Sequence, residues 1–98
     1  MSTQPRFDEV IHARNRLQIC SLLAAVDSAD FATVQRALGV SDYVVSKHLK
    51  LLVQAGYVTS HKERARGRTR TWLILTDTGR TALQEHLAEL RRITGLGD

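Results

Sequence analysis

The sequence predicts a mainly α domain with one β-hairpin, in the order helix, helix, helix, hairpin, helix. Three observations predict it. From residue 7 to 56, apolar residues recur at helical spacing between capping residues and glycines. From 57 to 75 the composition shifts to Val, Thr, Tyr, Trp and Ile around one glycine-containing turn. After Thr76 the helical period returns. Ninety-eight residues make one domain with a small core, read here as 1–98 with ordered residues 7–93 and loose tails at 1–6 and 94–98.

The first segment, "FDEVIHARNRLQICSLLAAV" (7–26), reads as one helix. Val10, Ala13, Leu17, Cys20 and Ala24 form one apolar stripe, and Ile19, Leu22, Leu23 and Val26 a second. A helix apolar on two sides needs two surfaces. The domain core supplies one, and a second subunit can supply the other. In "DSADFATVQRALG", Asp30 caps a short helix ending near Leu38, with Gly39 at the left-handed position after it. Phe31, Val34 and Leu38 are spaced to face the core.

"VSDYVVSKHLKLLVQAG" reads as a third helix, capped by Ser41, favoured by Asp42 at its positive end and stopped by Gly56. Val45, Leu49 and Leu52 make a core face. Tyr43, Ser46, Lys47, Lys50 and Gln54 make an opposite face that contains no acid. His48 lies between the two faces and is expected to make a structural hydrogen bond. "YVTSHKER" (57–64) and "TRTWLIL" (69–75) read as strands joined through Ala65, Arg66 and Gly67. "TDTGRTALQEHLAELRRI" closes the domain as a helix capped by Thr76, with Asp77 at its start and Arg91 and Arg92 at its end. Leu83, Leu87 and Leu90 form its apolar stripe.

The second and third helices are joined by a short turn at Gly39, and a hairpin follows directly. That order is a winged helix-turn-helix. The hairpin also carries the chain's excess charge. Residues 61–70 hold Lys62, Arg64, Arg66, Arg68 and Arg70 against Glu63 alone, which matches the formal net charge of +4 for the whole chain. Alternate residues of a strand share a face, so Arg64, Arg66, Arg68 and Arg70 are expected to project together, and Gly67 to let the backbone approach a polyanion closely.

Other classes find no support in the residues. There is no glycine-rich phosphate loop after a strand, no H-E-x-x-H and no nucleophile motif, so no enzyme and no cofactor is expected. Cys20 is the single cysteine and reads as a small buried hydrophobe. His86 and Glu89 form an i, i+3 pair read as ordinary helix surface, and no metal site is expected. The N-terminus lacks an apolar signal segment, and no run approaches the ~20 residues that span a bilayer, so a cytoplasmic protein without membrane contact is expected.

"GVSDYVVSKHLKLLVQAGYV" resembles the recognition-helix segment of the bacterial ArsR- and MarR-like winged helix-turn-helix regulators, through Ser46, His48, Leu49, Leu52, Ala55, Gly56, Tyr57 and Val58. "LTDTGR" (75–80) resembles their strand-to-helix junction, and "GRTRTWLILTDTGR" is similar to a compact subgroup of winged-helix DNA-binding domains. The resemblance implies a homodimeric, sequence-specific regulator of transcription, a repressor reading a pseudo-palindromic stretch of double-stranded DNA. It places Ser41, Tyr43, Ser46, Lys47 and Lys50 in the major groove, and Lys62, Arg64, Arg66, Arg68 and Arg70 on the backbone or in the minor groove. The dimer is expected through Val10, Leu17, Leu83, Leu87 and Leu90. An effector, if there is one, would lie at the dimer interface or between helices. A winged helix used for protein–protein or RNA contact is the alternative.

Overall fold

The computed structural model describes residues 3–96; residues 1, 2, 97 and 98, parts of the expected tails, lie outside the described residues. The elements run α1 (Glu9–His12), α2 (Arg14–Ala24), β1 (Ala29–Asp30), α3 (Phe31–Leu38), α4 (Asp42–Gln54), β2 (Val58–Ala65), β3 (Arg68–Leu75) and α5 (Asp77–Thr94). The strands form one antiparallel sheet in the order β1-β3-β2. The mainly α fold with a hairpin wing is as the sequence predicts.

The predicted caps close the helices. Asp30 accepts from the Thr33 N–H, Ser41 from the Val44 N–H and Thr76 from the Gly79 N–H, each satisfying an amide that its helix leaves unpaired. Gly39 takes the left-handed conformation at φ 69° that a β-carbon would resist.

The first helix departs from expectation. It is two helices broken at Ala13, whose ψ of 135° is extended. Asp8 caps the short α1 by accepting from the Ile11 N–H at 2.9 Å. The Arg16 guanidinium donates to the Val10 carbonyl beside the break. Apolar periodicity runs unbroken through residues 7–26, so the sequence gives no sign of the break.

The core gathers Ile19 and Leu23 of α2, Val34 of α3, Val45 and Leu52 of α4, and Leu73 of β3, none more than 1% exposed. Each such side chain contributes roughly 1.5–3 kcal/mol of burial. The α2 helix is central, packing on α3, α4, α5 and β3. Both of its apolar stripes send residues into the core, Cys20 from one and Ile19 and Leu23 from the other, while Val26 of the second stripe is 41% exposed. The expected division into one core stripe and one outward stripe does not appear, because several neighbours surround the helix rather than one. Leu83, expected in a dimer seam, is likewise in this chain's own core at 4% exposure. Val10, Leu17 and Leu87 are half-buried against the core, and Leu90 is half-buried.

The expected N-terminal tail is in part tied down: the Arg6 N–H donates to the Glu85 carbonyl at 3.0 Å. β1 was not anticipated. Two residues, Ala29 and Asp30, pair with Leu73 and Trp72 and carry no periodicity to read.

Candidate nucleic-acid interface

α4 presents the face its sequence implies. Ser41, Tyr43, Ser46, Lys47 and Lys50 are all exposed, and Tyr43 stands 77% in solvent rather than against the preceding helix. Tyr43, Ser46, Lys47, Lys50, Leu51 and Gln54 line a shallow groove of about 540 Å³. Its donors stand on a rigid, capped helix, and Leu51 adds an apolar patch suited to a thymine methyl.

His48 faces inward from the same helix. Its Nδ1 lies 3.0 Å from Arg16 Nη1. A guanidinium only donates, so Nδ1 accepts and the ring is neutral with its proton on Nε2. Burial, then the charges of Arg16 and Lys47, hold its pKa below the usual histidine value. The expected structural role for His48 is what the geometry shows. Arg16 ties α4 to the break between α1 and α2.

All ten residues from His61 to Arg70 are exposed. Their arrangement corrects the sequence reading. The pairing is Glu63 with Arg70, Arg64 with Thr69, and Ala65 with Arg68. Paired residues of an antiparallel ladder point to the same side. Arg68 and Arg70 therefore share a face with Glu63, while Lys62 and Arg64 share the other with Thr69 and Thr71. The four arginines do not project together. The two-residue turn, Arg66 at φ 55° and Gly67 at φ 73°, joins the strands so that even-numbered residues change sides across it. The cations clad both faces of the ribbon, with Arg66 at the apex.

Arg70 is the least free of them. Its Nε lies 3.6 Å from Asp30 Oδ2, and its guanidinium sits 5.8 Å from the centre of the Trp72 ring. The pair is partly solvated and worth little as stability, but it links the outer half of the hairpin to the start of α3. Hydrogen bonding from Thr33, ahead of the charges of Arg70 and Arg36, keeps Asp30 below the usual carboxylate value. Arg36 on α3, missed by the sequence reading, joins Arg68 and Arg70 around a cleft of about 410 Å³ between α3 and the hairpin. A single arginine at the end of a short helix carries no pattern; only the fold brings it beside the hairpin.

The hairpin root is firmly held. The Tyr57 N–H donates to the Leu52 carbonyl and its own carbonyl accepts from the Thr76 N–H, both at 2.9 Å. The Tyr57 hydroxyl donates to Asp8 Oδ2 at 2.6 Å; that bond first, then burial, push its pKa up to about 12.

His86 is not surface. It is fully buried, and the sequence reading of a surface His86–Glu89 pair is wrong because the segment around Asp8 folds over that side of α5. Among the described residues no cluster of three or more His, Cys, Asp or Glu is placed to hold a metal, and no helix is long and apolar enough to cross a membrane.

Comparison with known proteins agrees with this geometry. The chain is 28% identical over 79 residues to an uncharacterized protein of Methanocaldococcus jannaschii, covering 81% of this chain and 86% of that one. Its fold is similar to that of a transcriptional regulator homologue from Pyrococcus horikoshii OT3, with a TM-score of 0.84, 27% identity, and 93% of this chain and 91% of that chain covered. A zinc-responsive MarR family member from Lactococcus lactis shares the fold at a TM-score of 0.66 and 24% identity, with 91% of this chain covering 60% of the longer protein. Residues 15–94 match the family described as winged helix DNA-binding domain, and the chain belongs to that family.

Proposed function

We propose that the protein is a homodimeric, sequence-specific regulator of transcription, acting as a repressor on a pseudo-palindromic duplex. The observation that carries the reading is the exposed groove of α4 lined by Tyr43, Ser46, Lys47, Lys50, Leu51 and Gln54, with no acid among them, standing beside a hairpin with cations on both sides. Tyr43, Ser46, Lys47 and Lys50 read base edges in the major groove, and the exposed Ser41 at the helix start approaches a phosphate. The hairpin tip lies over the adjacent minor groove. Two phosphate backbones flank that groove, so a ribbon with Lys62 and Arg64 on one face and Arg68 on the other can meet both, while Arg66 points at the floor. Arg36 and Arg70 complete the phosphate contacts at the cleft between α3 and the hairpin. The similarity to a transcriptional regulator homologue supports the regulatory role.

The dimer would form along the outer side of α5. Leu83 is spent in the core, but Leu90 is half-buried, and Ile93 and Leu96 are 57% and 86% exposed. An apolar strip of this kind is covered in most soluble proteins. A two-fold pair would set two α4 helices about one helical turn, roughly 34 Å, apart along DNA.

Selection of bound duplexes from a random pool tests the whole reading. The expected result is an enriched inverted repeat with half-sites about one turn apart. Failure to enrich any duplex, or preferential capture of RNA, would overturn it.

A further inference from the structure

The six residues that line the α4 groove are not spread evenly around the helix. At about 100° per residue, Tyr43, Lys47, Lys50 and Gln54 fall within roughly 60° of arc and run down the middle of the face. Ser46 and Leu51 flank that line on opposite sides. A helix seated in a major groove turns its middle line to the base edges and its flanks to the groove walls. Both lysines therefore stand over bases rather than over the backbones. Both are exposed, and the ion pairs among the described residues, Arg70 with Asp30 and Arg92 with Glu89, involve neither of them.

The chemistry of the face selects among the bases. An ammonium carries three donors and no acceptor. In the major groove guanine presents two acceptors, O6 and N7; adenine and thymine present one each, and cytosine none. A lysine held over base edges thus favours guanine. Lys47 and Lys50 are three residues apart, a rise of about 4.5 Å along the helix, against about 3.4 Å between stacked base pairs. They meet neighbouring pairs. Leu51 stands about 1.5 Å further along the axis. It is 39% exposed and lies outside the core, an apolar side chain among polar ones. Against a phosphate it would strip water from a charge at a cost. A thymine methyl, which projects into the groove beside its own backbone, instead gives this flanking side chain an apolar surface to bury.

We propose that α4 reads two neighbouring G·C pairs, their guanines held by Lys47 and Lys50, followed on the Gln54 side by an A·T pair whose thymine methyl packs on Leu51. The assignment rests on the DNA reading proposed above and gives it base identity.

Duplexes selected from a random pool by the full chain supply the test. Their half-sites should share two adjacent G·C pairs followed by A·T. Edits to single atoms of such a duplex then leave the protein untouched. 7-Deazaguanine keeps its base pairing but lacks the N7 acceptor. At either guanine of one half-site it should weaken wild-type binding about 3- to 10-fold. Exchange of the whole G·C pair for A·T should weaken it about 5- to 150-fold. Lys47→Ala should be blind to deazaguanine at one position and Lys50→Ala at its neighbour, each keeping the wild-type response at the other. Deoxyuridine in place of thymine removes only the methyl. It should weaken wild-type binding about fourfold and leave Leu51→Ala unaffected. All three side chains are exposed, so each variant keeps the core intact. Wild-type binding indifferent to deazaguanine would overturn the assignment. So would lysine variants that weaken every duplex alike and stay sensitive at both guanines, which would put the lysines on phosphates. A Leu51→Ala variant as sensitive to deoxyuridine as the wild type would remove the thymine contact. Enriched duplexes without adjacent G·C pairs would defeat this inference alone. Enrichment of no duplex would remove the DNA reading and this inference with it.

Discussion

Gly79→Ala separates local preference from tertiary packing, because the two predict opposite signs. Gly79 lies in the first turn of α5, where alanine is intrinsically better by up to about 1 kcal/mol. A β-carbon there, however, would run into the Tyr57 carbonyl oxygen and lie 2.9 Å from both the Tyr57 carbonyl carbon and Leu75 Cδ1. The Leu75 methyl can swing aside. The Tyr57 carbonyl cannot, because it accepts from the Thr76 N–H at 2.9 Å and its peptide begins the hairpin. Relief requires α5 and the hairpin root to separate by roughly an ångström, and because the clash is with backbone the overpacking cost falls at the upper end of its range, about 2–3 kcal/mol. Set against the propensity gain, the variant should be destabilised by about 1–2 kcal/mol, which for a domain of this size lowers Tm by roughly 5–15 °C. Thermal denaturation followed by circular dichroism measures it. A Tm equal to or above that of the wild type would show that the close approach of α5 to Tyr57 is not a constraint, and the reasoning would fall.

Arg64→Ala and Arg68→Ala, on opposite faces of the hairpin, should each lower the slope of log affinity against log salt by about 0.9, and the double variant by about 1.8; if only one face matters, the two-backbone arrangement is wrong. Ile93→Glu, at an exposed position outside the core, should shift sedimentation from dimer to folded monomer, and a wild type that sediments as a monomer at micromolar concentration would refute the dimer. His48 and His86 both have folded pKa values below the usual one, so the neutral rings stabilise the fold. Their contribution is fully present above about pH 6.5 and lost as pH falls through the folded values. The urea midpoint should therefore be lower at pH 5.0 than at pH 7.5, and a higher midpoint at pH 5.0 would contradict the assignment.

Local signals in the sequence were legible and reliable. Asp30, Ser41 and Thr76 cap the helices they precede, and the polar and apolar faces of α4 fall where their spacing puts them. What was hidden depends on distant partners. The break at Ala13 is not written in periodicity; it accompanies bonds made by Asp8 and Arg16. His86 reads as surface because its burial is supplied by Phe7, Asp8 and His12, more than seventy residues away. The cationic hairpin was legible as composition but not as geometry. Alternation along one strand predicts a shared face, and the two-residue turn inverts that parity in the returning strand. Leu83 was assigned outward because a helical stripe does not say which neighbour it meets.

Arg66 sits at φ 55°, in a conformation that glycine or asparagine adopts readily and arginine does not. The hairpin tip is therefore locally frustrated: the residue that makes the tightest turn is not the one that carries charge to its apex. The strain is on the order of 1 kcal/mol, enough to be visible to a laboratory selection. A library evolved for heat resistance alone would be drawn to Asn or Gly at this position and would return sturdier proteins with a blunted tip. A library sorted on DNA capture would keep arginine or lysine there and tolerate the softer turn. The two enrichments would diverge at this codon, making position 66 a gauge of what a given selection rewards.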